Sequence, residues 1–203
     1  MKRIFFHLSV WFVIALTFAI SFTLSLTGWF RQFPALLLFG FGAVAVGIGF
    51  GVLTFLEDLF RRKVPIRDLR FLTYGQTLRF FGTLAYWKAA EHVLPPLFAI
   101  PTAMMDDALA ISSFYVARRW IRPDGEPTRG FFVWHIAGLG SLAISNLLAF
   151  LTASPNSEGV SSQGMALFPM SMVPTWIGPM VLMFHLLALF DGTRRRVSTS
   201  SAS

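Results

Sequence analysis

Cysteine is missing from this 203-residue chain, so a disulfide framework, thiolate chemistry and sulfur-ligated metals are all excluded. Charge is scarce as well: 13% of the residues are Asp, Glu, Lys or Arg, against about 25% in a soluble domain. No stretch alternates apolar and polar residues in the manner of a barrel strand. Neither H-E-x-x-H nor G-x-S-x-G occurs, which makes a membrane-embedded enzyme acting on lipid the weakest functional class. The opening "MKRIFFHLSVWFVIALTFAISF" has the basic start and apolar run of a secretory signal, yet no Ala-x-Ala cleavage site follows it. An uncleaved first helix is expected, and no lipidation motif is evident.

What is present is oily. Hydrophobic residues make up 55% of the chain, and the mean hydropathy is +0.63. Twenty-three phenylalanines and six tryptophans suit lipid-facing walls and interfacial belts. Six apolar segments stand out, at about 8–27, 34–56, 74–94, 98–117, 130–152 and 167–190. Each is long enough to cross about 30 Å of hydrocarbon at 1.5 Å per residue. With strands excluded, helices are the spanning form left. The expectation is an all-α integral membrane bundle of six transmembrane helices, forming one domain over residues 1–192. A basic, then disordered, cytoplasmic tail over 193–203 is expected to follow.

Orientation follows from lysine and arginine. With the N-terminus inside, 14 of the 17 basic residues fall in cytoplasmic segments, namely the N-terminus, 61–70, 118–129 and 194–196. Arg31 alone falls in an outer loop, while Arg79 and Lys88 lie within the third span. Both termini are therefore expected to be cytoplasmic. The net charge of +7 is accounted for by topology and by anionic lipid at the cytoplasmic face, so no nucleic-acid partner is expected. In the second span, Gly40, Gly47 and Gly51 form one stripe, with Gly42 and Gly49 nearly opposite, as in a helix squeezed between two neighbours. The loop at 57–70 mixes apolar and basic residues and reads as a short amphipathic turn on the inner surface, interrupted by Pro65.

The charges within the spans carry the functional interest. Pro95 and Pro96 mark the outer turn between spans three and four. Counting from that turn places Lys88 level with Asp106 and Asp107, so an ion pair between Lys88 and one of these aspartates is expected. Glu91 and His92 lie on the face of Lys88 nearer the surface and extend this polar network or line a wet cleft. Such a group serves either as a packing device or as a proton or ion relay. A second polar level, towards the cytoplasm, gathers Arg79, His135 and His185 around an inward-facing pocket. Two histidines without a matched carboxylate make a poor metal site, so neither a metal nor a cofactor is expected. In the last span Pro169, Pro174 and Pro179 recur every five residues. The inner two free the carbonyls of Met170 and Thr175, which is read first as a kink and second as an ion site.

Four local patterns carry a resemblance: Gln76-x-x-Arg79-x-x-Gly82; Pro101 followed by Asp106; Trp134-His135-x-x-Gly138; and Pro169-x4-Pro174-Thr175-x3-Pro179-x5-His185. Together, over about residues 74–190, they resemble a family of small bacterial polytopic membrane proteins without an assigned activity. The resemblance implies a fold and the use of positions Arg79, Asp106 and His185, and supplies no mechanism. It departs at His135, where asparagine is expected, and at Ser141, where an acid is expected. It therefore carries no shared polar network through span five.

The functional expectation is a non-enzymatic, multi-pass accessory or assembly subunit of a bacterial cytoplasmic membrane, partnered by lipid and by another membrane protein. The alternative is a small proton- or ion-coupled transporter built on the intramembrane Lys/Asp pair.

Overall fold

The computed structural model describes residues 2–33, 35–60, 68–155 and 159–200. Apolar runs without a strand period have one way to satisfy their backbone internally, the helix. The described residues accordingly form an all-α structure of six helical segments. Two are single helices, α1 (Lys2–Leu26) and α2 (Ala35–Phe60), joined by a 3₁₀ turn at Trp29–Gln32. The third runs through α3 (Leu69–Tyr74), a 3₁₀ stretch (Gly75–Thr83) and α4 (Leu84–Ala90). Then come α5 (Pro96–Arg119) and α6 (Arg129–Leu151). The last segment opens with a π turn (Val173–Ile177) and continues as α7 (Gly178–Ser200). Among the described residues, three helices are long and apolar enough to cross a membrane: Pro96–Arg119, Arg129–Leu151 and Val173–Arg196. Shorter apolar stretches lie at Ile14–Leu26 and Leu37–Gly51.

Local chemistry explains the boundaries. The Asp68 carboxylate caps α3 by accepting from the Arg70 N–H at 2.9 Å. Pro96 starts α5 at a position where its missing N–H costs nothing. α4 ends when His92 takes a left-handed φ of 55°, and the Lys88 carbonyl then accepts from the Val93 and Leu94 N–H groups at 2.9 and 3.1 Å. The π turn sits where prolines interrupt the ladder. Met170's carbonyl is recovered by the Val173 N–H at 2.9 Å.

Two expectations need adjustment, and a third falls largely outside the described residues. α7 continues to Ser200, so residues 193–200, expected as a basic and then disordered tail, are helical. In α2 Gly42 is set against the Thr175 carbonyl, whereas Gly40, Gly47 and Gly51 face open space. The amphipathic turn expected at 57–70 lies largely outside the described residues.

Packing concentrates on one interior. Leu72, Phe131, Trp134, Val181 and Phe184 form the larger core, while Leu94, Phe98, Met165 and Met170 fill the end beside the α4–α5 turn. The connection after α6 folds over that end, with the Ser162 hydroxyl donating to the Ala149 carbonyl at 2.6 Å. Large apolar side chains also cover the outside: Val133, Leu97 and Leu151 are each more than 60% exposed.

Candidate functional site

In a 3₁₀ helix, side chains three apart eclipse one another. The stretch Gly75–Thr83 therefore puts Gln76, Arg79 and Gly82 in one line, and all three are buried. Arg79 is only 2% exposed, too deep for its stem to carry the charge out to a surface. A guanidinium held there needs a counter-charge and a partner for each of its five N–H groups.

The fold supplies them from four segments. Nη1 pairs with the Asp106 carboxylate of α5 and donates to the Ser141 hydroxyl of α6 at 3.2 Å. Nη2 donates to the Gly138 carbonyl of α6 at 3.0 Å and to His185 Nε2 of α7 at 3.1 Å. Nε donates to the Gln76 side-chain oxygen at 3.1 Å, and Gln76 in turn donates to the Val181 carbonyl at 3.2 Å. Ser141 passes its own proton to the Gly138 carbonyl at 2.8 Å.

Because arginine only donates, the direction of the remaining bonds follows. His185 Nε2 accepts, so the ring carries its proton on Nδ1 and donates it to His135 Nδ1 at 2.7 Å. His135 then carries its proton on Nε2, which faces the Thr73 hydroxyl at 3.5 Å, and that hydroxyl donates to the Leu69 carbonyl at 2.7 Å. Both imidazoles are neutral in this arrangement, and the one full negative charge at the hub is Asp106. Glycine admits the groups: a Cβ at Gly138 would collide with the His185 ring, and one at Gly82 would lie 2.6 Å from Asp106 Oδ2.

The two polar levels expected from the sequence are thus rearranged. Arg79, His135 and His185 do come together, but as a packed hub that also takes Asp106 from the other group. The expected Lys88–Asp106 or Lys88–Asp107 pair does not form. Lys88 Nζ instead meets Glu91 Oε2 at 2.5 Å, and Asp107 accepts from the Thr83 hydroxyl at 3.2 Å. The cause is where the helix stops. α4 ends at Ala90, five residues before Pro95, so Lys88 lies in its last turn while Asp106 lies ten residues into α5. Gly82 and Arg79 are the residues that reach the Asp106 level. Glu91 and His92 fall on the exposed turn, outside the hub. The hub crosses the fifth segment through His135, Gly138 and Ser141, the first and last being the positions at which the chain departs from the resemblance.

Sequence reasoning passed over a second polar seam. Thr17, Ser21 and Ser25, each four residues apart, form a stripe on α1. Ser21 bonds Thr175 at 2.6 Å, Ser25 bonds Ser171, and the Trp176 indole donates to Thr17 at 3.2 Å. The i, i+4, i+8 spacing of these hydroxyls was the available signal.

Beside the hub lies a cavity of about 80 Å³. Asp106, Thr102 and Phe98 line it as successive turns of one α5 face, opposite Leu142 and Asn146 of α6 and Pro174 of the π turn. Among the described residues no group of three or more His, Cys, Asp or Glu is placed to hold a metal.

Neither a curated protein nor a solved structure matches the chain. A family model described as Domain of unknown function (DUF8737) matches residues 33–191, from the connection before α2 to Asp191 in α7. That stretch holds every residue of the arginine hub and most of the chain, and the protein belongs to this family of unknown function.

Proposed function

We propose that the chain is a six-span integral protein of a bacterial cytoplasmic membrane, with both termini cytoplasmic, acting as a non-enzymatic accessory or assembly subunit. In this reading residues 1–192 are one transmembrane domain, and the basic clusters rest on anionic lipid. The inverted surface supports the membrane setting: apolar side chains face outward while an arginine, an aspartate and two histidines lie within. A lipid environment offers such groups no water, so each must be satisfied from inside.

The observation that carries the non-enzymatic reading is the saturation of Arg79. All five of its donors are taken by protein groups drawn from separate segments, which suits a clamp that fixes how helices meet. A proton relay fits less well, because a guanidinium between the histidines and Asp106 donates without accepting and interrupts any wire. The Lys/Asp pair on which a carrier would have turned is also replaced by a Lys88–Glu91 contact near the turn.

Topology reporters fused after Ser200 and within 122–127 are expected to read cytoplasmic, and one inserted at 154–159 external. Carbonate washing is expected to leave the chain in the membrane pellet. Release by carbonate, or a reversed reporter pattern, would end the proposal. For the clamp itself, Asp106→Asn is expected to lower protein abundance together with any cellular phenotype. Full abundance with a lost phenotype would favour transport instead.

A further inference from the structure

The cavity beside the hub has a polar end and an apolar body. Its polar end holds the Asp106 side chain, which retains 13% exposure although one oxygen is bound by Arg79. One turn away on the same face is Thr102, 8% exposed, whose Oγ1 is buried without a hydrogen-bond partner. Leaving a buried hydroxyl unpaired is unfavourable, so an occupant that pairs with it is favoured. Further along, Phe98, Ala149 and Met165 make the walls apolar. The lining residues that keep partial exposure include Phe39 of α2 and Leu142, Ser145 and Asn146 of α6, which puts the mouth between those two helices. At about 80 Å³ the space takes a head group and the first carbons of a chain, with the remainder leaving through the mouth.

We infer that this cavity binds the head of a lipid-phase amphiphile bearing an uncharged hydroxyl, its chain passing out between α2 and α6. The charges select the head. Arg79 already balances Asp106, so an ammonium head would leave a net positive charge in a dry site beside a guanidinium. A carboxylate head would meet Asp106 with no free donor from Arg79 to offset it. An alcohol donates one hydrogen bond to the carboxylate and accepts one from Thr102 once that hydroxyl, itself buried, turns into the cavity.

The inference rests on the membrane placement proposed above, and the two fail differently: misplacement shows in carbonate washing, whereas a wrong site leaves insertion intact. The full chain in phosphatidylcholine nanodiscs would be photolabelled with diazirine-bearing decanol, and the labelled peptides mapped. Labelling is expected on α5, α6 and the 173–181 segment. Decanol is expected to compete at least about tenfold better than decylamine or decanoate at equal membrane concentration. Thr102→Val is expected to cut labelling about tenfold with an unchanged or raised melting temperature, since it removes an unpaired hydroxyl at constant shape. Ala149→Trp, which fills the apolar body, is expected to abolish labelling. Equal competition by the three head groups, labelling indifferent to Thr102→Val, or preference for decylamine would each overturn it.

Discussion

Arg79 carries more of this molecule's specificity than any other side chain, because a buried cation tolerates only an arrangement that satisfies it throughout. Arg79→Met leaves Asp106 buried without its partner, and a loss of about 3–5 kcal/mol is expected in detergent-solubilised thermal or denaturant unfolding. Combining it with Asp106→Leu is expected to recover part of that loss, because the stranded charge goes too, while Gln76 and Ser141 still lose their donor. Gly138→Ala tests the close approach of α6 and α7. The His185 ring fills the place of the new methyl and is fully buried, so a cost of about 1–3 kcal/mol is expected. Arg79, Asp106, His135 and His185 were all legible in the sequence as groups out of place in an apolar span. Their grouping was not, since depth was counted from Pro95 and Pro96 while the helix had already ended at Ala90.

At the scale of elements, several helices meet through small residues and hydroxyls, a pattern that the proposed membrane setting favours. The glycines of α2 are unequal in consequence. Gly42→Ala is expected to destabilise the protein clearly, because its methyl would press on the rigid Thr175 backbone, whereas Gly47→Ala meets open space and is expected to be neutral or slightly stabilising. Parallel melting curves of the two variants decide the matter. The seam between α1 and the proline-broken segment can be tested through the absence of cysteine. Ser25→Cys with Ser171→Cys is expected to cross-link under mild oxidation, since the two hydroxyls are bonded, while Ser25→Cys with Gly140→Cys is expected to stay reduced. Heptad-like glycine spacing suggested a stripe, but which glycine is contacted depends on how α2 is rotated against the 173–179 backbone. Rotation of that kind is set by the partner surface.

At the scale of the whole molecule, charge lies in two places with different physical roles. Basic clusters fall in the connections between apolar segments of the sequence, and a neutralised ion pair sits in the interior, while large apolar side chains cover much of the described surface. The connection between α5 and α6, which carries one of these clusters, is itself structured. Thr128 N–H bonds the Trp120 carbonyl at 2.9 Å, Arg122 pairs with Glu126 at 3.3 Å, and Arg195 of α7 reaches the Gly125 carbonyl at 3.3 Å. Exposed contacts of this sort contribute little each. Removing Arg195 by substitution to Gln is accordingly expected to change stability by less than about 1 kcal/mol, measurable against the much larger loss from Arg79→Met.

Composition alone determined that this chain would be helical and rich in apolar segments of spanning length, because an unbroken apolar run has no other way to satisfy its backbone. It also marked which side chains would be costly to bury. Which of them would meet was decided by tertiary structure: a 3₁₀ stretch that aligns Gln76, Arg79 and Gly82, a helix that stops at Ala90, and glycines that let α6 and α7 close on a ring. Those are properties of helix ends, rotation and depth, and each depends on the neighbouring helix as much as on the residue itself.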